Sequence, residues 1–147
     1  MNNTLASVIA EKGSSVHSIE PTATVQDAVR KMNQEHVGAL LVTEHDRPVG
    51  MFTERDVLSR IVDPGRRAEQ TTVAEVMTRE MVTVRPTTLV EEAMAVVTEK
   101  RCRHLPVMDG EKLLGLVSAG DLTRWMTRGQ EVHIQDLVNY ITGAYPV

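Results

Sequence analysis

The sequence predicts a mixed α/β (α+β) fold built from two copies of one β-α-β-β-α unit, with a short helical segment before them and another after. Three observations carry this. First, Gly50-Met51-Phe52-Thr53-Glu54-Arg55-Asp56 returns 65 positions later as Gly115-Leu116-Val117-Ser118-Ala119-Gly120-Asp121. Second, the register holds without a gap across positions 21–56: Pro21 maps to Pro86, Val25 to Val90, Ala28 to Ala93, Leu40 to Leu105 and Val42 to Val107. Third, each copy switches from helical hydrophobic spacing to short continuous apolar runs. Residues 1–65 form the first copy with its lead-in, 66–129 the second, and 130–147 a C-terminal amphipathic helix and tail. One copy alone is about 60 residues, a size at which a lone core is marginal, so the two are expected to share a core.

The elements follow in order. Leu5, Val8 and Ile9 have helical spacing, and Gly13-Ser14-Ser15 ends that helix. Val16 to Glu20 reads as a short strand stopped by Pro21. Thr24 is an expected N-cap with Asp27 at the positive helix end. Val25, Ala28, Val29 and Met32 then mark one face of a helix running to about Glu35. Gly38 to Val42 is a buried strand, and the turn His45-Asp46-Arg47-Pro48 leads into a second strand from Val49 to Phe52. Thr53 opens a helix with Val57, Leu58 and Ile61 on its apolar face, closed by Asp63-Pro64-Gly65. Positions 66–71 read as a polar surface linker, and Val73, Val76 and Met77 as a helical turn echoing Leu5 to Ile9.

The second copy repeats the series. Val82 and Val84 are expected in a strand stopped by Pro86. Val90, Ala93, Met94 and Val97 form a helix face. Two strands flank the turn Asp109-Gly110, and a helix runs from Ser118 to Thr127. Ile134, Leu137, Val138 and Ile141 form a last amphipathic segment capped by Gly143, packed on the body or against a second protomer.

Composition narrows the function. The net charge of −4 and pI of about 5.7 argue against a nucleic-acid binder, whose footprint is basic. Cys102 is the single cysteine, which excludes an intrachain disulfide and fits a reducing compartment. No stretch approaches the ~20 apolar residues of a membrane span, and the first residues lack the pattern of a signal peptide. The expectation is a cytoplasmic protein with no membrane partner. The five histidines have no ligand spacing, so no metal site is expected. The eight methionines sit at core spacing and read as packing. Aligning Ser118, His104 and Asp121 as a hydrolytic triad finds no nucleophile-elbow pattern, and no catalytic residue is assigned.

Two constellations carry chemistry. Thr53-x-x-Asp56 and Ser118-x-x-Asp121 are close to capping boxes. The same helix N-termini offer N–H groups to an anion, while the carboxylate accepts bonds from vicinal hydroxyls. A ribose phosphate presents both groups. The preceding Gly50 and Gly115 would let a ligand approach the backbone. The second constellation is Arg101-Cys102-Arg103-His104, where arginine suits bidentate phosphate binding. Its counterpart in the first copy, His36-Val37-Gly38-Ala39, is nearly uncharged, so two clefts would be inequivalent. Cys102 between two arginines reads as a small semi-buried residue ahead of a redox-sensitive thiol.

Two in-register copies, the strand Leu105-Pro106-Val107 and the repeated Gly-x-x-Ser/Thr-x-x-Asp resemble a tandem CBS-domain pair, the domain named after cystathionine β-synthase, over about residues 5–127. The resemblance implies a pseudo-two-fold module with two clefts between the repeats. It further implies adenosine-containing ligands: AMP, ADP or ATP, and also NADH or S-adenosylmethionine. A homodimer and a regulated protein partner follow from the same likeness, and without an attached effector domain the chain resembles the stand-alone kind. By position, one cleft would use Ser118 and Asp121, with Arg103 and His104 toward the phosphates and Lys12, His17, Val37, Gly38 and Ala39 on the adenine side. The other would use Thr53 and Asp56, with Thr78, Val82, Cys102, Arg103 and His104.

Overall fold

Thr4 accepts a hydrogen bond from the Ser7 amide and starts α1 (Leu5–Lys12), buried through Leu5 and Val8. The computed structural model describes residues 3–142, apart from the side chains at 129–133, 136, 140 and 142. The first repeat continues with β1 (Ser18–Ile19), α2 (Val25–Glu35), β2 (Ala39–Glu44), β3 (Arg47–Thr53) and α3 (Glu54–Val57). The Thr24 cap on α2 is present, its side chain accepting from the Asp27 amide. The first hairpin turns on two residues, His45 and Asp46, both at positive φ, so β3 starts earlier than its apolar run suggests. After α4 (Val73–Val76), the second repeat gives α5 (Val90–Lys100), β4 (His104–Asp109), β5 (Lys112–Ser118) and α6 (Ala119–Thr142).

Parallel pairing of β1 with β2 and antiparallel pairing of β2 with β3 make the first sheet, while β4 and β5 make the second. The strand expected around Val82 and Val84 shrinks to a single bridge, Val84 with Val107. Proline chemistry explains it. In the first repeat the Leu41 amide donates to the His17 carbonyl. Pro106 stands at the position of Leu41 and has no N–H to give.

Instead of one shared core there are two. The first gathers Val25, Ala28, Met32, Leu40, Val42, Phe52 and Ile61, and is completed by Val73, Val76 and Met77 from the lead-in of the second repeat. The second gathers Val90, Ala93, Leu105, Val107, Val117 and Leu122, and is completed by Leu5 and Val8 of α1. Each repeat therefore receives the other's lead-in helix. Matching backbone bonds fix both exchanges: Leu5 to Thr88 and Ala6 to Pro86 on one side, Val73 to Ala23 and Ala74 to Pro21 on the other. Ala39, Leu41 and Met51 form a smaller seam with the half-buried Val16, Met81, Leu113 and Leu116.

Further departures have local causes. After α3 the chain widens into a π-helical turn, Leu58–Val62, with Asp63 N–H donating to the Leu58 carbonyl. Ile61 stays buried, but Leu58 is 65% exposed rather than on the apolar face. Thr71, expected in a surface linker, is buried because its carbonyl receives the Val25 amide at the start of α2. The last two helices expected from the sequence are one, α6. Its Ile134, Leu137 and Ile141 are exposed, so they do not pack on the body of this chain. The Gly143 cap lies outside the described residues.

Candidate functional site

Both repeats end their hairpin in a hydroxyl residue that caps the next helix. Thr53 accepts from the Asp56 amide while Asp56 Oδ2 accepts from the Thr53 amide at 2.9 Å. Ser118 Oγ accepts from the Asp121 amide at 3.1 Å, and Asp121 Oδ2 from the Ser118 amide at 2.8 Å. The capping chemistry read from the sequence is thus present twice, and it fixes where each carboxylate points.

The residues expected with the first acid all meet. Thr53, Asp56, Thr78, Val82, Cys102, Arg103 and His104 line one cavity of about 420 Å³ between the repeats. Sequence reasoning missed Glu54, Arg55, Leu58 and Glu80 in that lining. Arg55 and Leu58 lie in and just after the short α3, and Glu80 follows α4, so the signal was the helix exchange, which leaves no residue pattern. Gly38, assigned to the other cleft, is here, with Glu54 lying over it. Arg101 is held at the rim by a left-handed backbone at the end of α5, as His36 is at the end of α2.

Asp56 is only 5% exposed. Its Oδ1 accepts from Thr78 Oγ1 at 3.2 Å and lies 3.6 Å from Arg60 Nε. Arg60 itself donates to the carbonyls of Val76 and Met77. Both contacts to Oδ1 are long, and a carboxylate oxygen has lone pairs to spare. The lining also carries Arg101 and Arg103, and Met51, Met81, Val82 and Pro106 give the cavity apolar surface. His104 is neutral at about pH 7: burial first, then the charges of Arg103 and Lys12, push its pKa down against Asp121 and Glu54. Burial also raises the Cys102 pKa, so it is a thiol rather than a thiolate, flanking arginines notwithstanding.

The residues expected with the second acid come together only in part. Lys12 Nζ binds Asp121 Oδ2 at 2.5 Å instead of lining an adenine pocket. Arg124 donates to Oδ1 at 2.7 Å. Burial works to raise the Asp121 pKa, but the Lys12 bond and the Ser118 amide outweigh it, and the carboxyl titrates below its ordinary value. His104 pairs across the hairpin with Ser118, and the Arg103 carbonyl receives the Ala119 amide. Val37 packs against the first core and Ala39 in the seam. His17 pairs with Glu35 at 3.7 Å. The two glycines do not admit a ligand. A Cβ on Gly50 would sit 2.8 Å from Met77 Sδ and 2.9 Å from the Thr78 carbonyl, and one on Gly115 3.1 Å from Ile9, so the exchanged segments take that space. Among the described residues no His, Cys, Asp and Glu group is arranged to hold a metal ion.

Comparison with known proteins agrees with this architecture. The CBS domain model matches twice, at residues 12–63 and 73–128. The mitochondrial CBS domain-containing protein CBSX3 of Arabidopsis thaliana is 37% identical over 98% of this chain and 74% of its own length. The crystal structure of the CBS domain NE2398 superposes with a TM-score of 0.81 at 39% identity, covering 84% of this chain and 97% of that one. A protein with CBS domains from Burkholderia ambifaria MC40-6 gives 0.81 at 38%, covering 84% and 93%. Such proteins are generally regulatory and ligand-binding rather than catalytic. With two in-register repeats, a cleft between them and both halves matched, this chain belongs to the CBS-domain family as a tandem pair.

Proposed function

We propose that the chain is a regulatory module that binds an adenine nucleotide in the Asp56 cleft and passes a change of shape to a protein partner. The observation that carries this is the convergence in one 420 Å³ cavity of a buried, capped carboxylate, three arginines and an apolar wall. That volume is within the range of small-molecule sites. Asp56 Oδ1 would accept from the ribose hydroxyls, Arg101 and Arg103 would meet the phosphate, and Met51, Met81 and Val82 would face the base. AMP, ADP and ATP all present these groups, as do NADH and S-adenosylmethionine in part. Because the walls come from both repeats, a ligand that prefers one spacing of the repeats, or of two protomers in a homodimer, would shift that equilibrium.

The test is calorimetric titration of the full chain with AMP, ATP and NADH, beside Asp56→Asn. Thr53 remains the N-cap and the asparagine oxygen still accepts its amide, so folding is retained. Losing the charged acceptor weakens binding roughly tenfold or more. No binding at millimolar concentration, or an Asp56→Asn protein that binds as wild type does, overturns the reading. The first result would leave a structural interaction protein, and the second would leave Asp56 as a helix cap outside the nucleotide site.

A further inference from the structure

The two acids are related by the repeat, yet they are held by different devices. In the first, α4 stops at Val76 and the backbone of Thr78 lies along β3, exchanging two bonds of 2.8 Å with Met51. The Thr78 hydroxyl then reaches Asp56 at 3.2 Å. In the second, α1 has the same start but runs a full turn further, to Lys12. Its cap Thr4 and buried Leu5 and Val8 match Thr72, Val73 and Val76. Counted from the shared helix start, Lys12 takes the sequence position of Glu80. Its ammonium donates to the Leu116 carbonyl at 2.6 Å and to Asp121 at 2.5 Å. Leu116 is the counterpart of Met51 and Asp121 of Asp56, so one lysine does what a peptide N–H and a hydroxyl do in the other repeat. Unlike Thr78, whose backbone is tied to Met51, it reaches both acceptors through one long side chain, 36% exposed and able to rotate away.

Resting on the nucleotide reading above, we propose that Lys12 is an intramolecular latch on Asp121, so that each chain takes up one nucleotide, at the Asp56 cleft. An ammonium on Oδ2 and the Arg124 guanidinium on Oδ1 occupy the acceptor that ribose hydroxyls need. A charge-assisted bond is roughly twice as strong as a neutral one, so a hydroxyl does not outcompete the Lys12 ammonium, whereas Arg124, 71% exposed, is the weaker hold. Displacement of Lys12 would open the second site. Lys12 is therefore the residue that sets the stoichiometry.

The full chain, Lys12→Met and Lys12→Arg are titrated calorimetrically with AMP, ATP and NADH in turn. The latch predicts one nucleotide per chain for wild type, two for Lys12→Met and one for Lys12→Arg, whose guanidinium restores the pair. Asp121→Asn leaves the wild-type count at one, and added to Lys12→Met it returns the count from two to one. Two nucleotides on wild type, or one on Lys12→Met, overturns the latch and leaves the nucleotide reading standing. So does a loss of affinity of about tenfold in Lys12→Met, which would make Lys12 a ligand group. No nucleotide bound by any of the three proteins overturns the nucleotide reading, and the latch falls with it.

Discussion

Asp56 and Asp121 hold the same place in the two repeats and differ in what neutralises them. Asp56 lies under a hydroxyl and beyond hydrogen-bond distance of Arg60. Asp121 carries an ion pair on each oxygen. Its folded pKa is depressed, so the stability it contributes is present above the unfolded carboxylate pKa and is lost as pH falls through the folded one. Lys12→Met removes the main stabilising bond and exchanges one good helix former for another. Because Lys12 is partly exposed, the variant is expected to be about 1 kcal/mol less stable than wild type at about pH 7. That gap narrows as pH falls below the ordinary carboxylate range and closes once the depressed Asp121 carboxyl is itself protonated in the folded wild type. Urea unfolding across that range checks it, and a gap that stays constant with pH would trace the difference to helix packing.

At the scale of elements, most boundaries were legible because hydrophobic period and turn chemistry agree. The two copies of helix and hairpin fall in the same places, 65 residues apart. What was not legible depended on partners distant in sequence. Val82 and Val84 have strand composition, but the strand needs a donor that Pro106 lacks. Gly50 and Gly115 look like openings for a ligand, but only the fold shows that Met77 and Thr78, just past α4, and Ile9 of α1 press on them. Asp56 of the first cleft was readable from the repeat and Arg103 from the charged run before β4, whereas Glu80 and the Lys12–Asp121 pair depend on how far each lead-in helix runs. The glycines give the sharpest test. Gly50→Ala drives a Cβ into the Met77 sulfur and the Thr78 carbonyl, the latter being backbone that cannot rotate aside. It should destabilise by about 1–3 kcal/mol. Gly120→Ala, in the first turn of α6, meets the Arg124 side chain at 3.4 Å and Ser118 Oγ at 3.6 Å, both ordinary contacts. It should stabilise by about 0.5–1 kcal/mol, as alanine does for glycine in a helix. Denaturant midpoints that shift in the same direction for both would show that the close approach does not constrain β3.

At the scale of the molecule, the exchange of lead-in helices decides how the repeats depend on each other. The first core is contiguous in sequence, from β1 through α4, since its completing helix follows it. The second is split, because α1 lies at the other end of the chain from α5, β4 and β5. Closing it joins residues about 80 apart, across the whole first repeat. Leu5 is fully buried there. Leu5→Ala should therefore cost about 2–5 kcal/mol, and the loss should be local to the repeat that receives α1 rather than the one that follows it in sequence. Amide hydrogen exchange distinguishes the two. Protection should drop in α5, β4 and β5 while α2, β2 and β3 keep theirs, because their core holds Val73 and Val76 and contains nothing of α1. A drop confined to α2, β2 and β3 would mean that α1 serves its own repeat. An equal drop in both would mean that the seam of Ala39, Leu41 and Met51 welds the cores into one cooperative unit, in which a ligand between the repeats would have no separate bodies to move. The selective drop is the outcome that a module signalling through the relative position of its repeats requires.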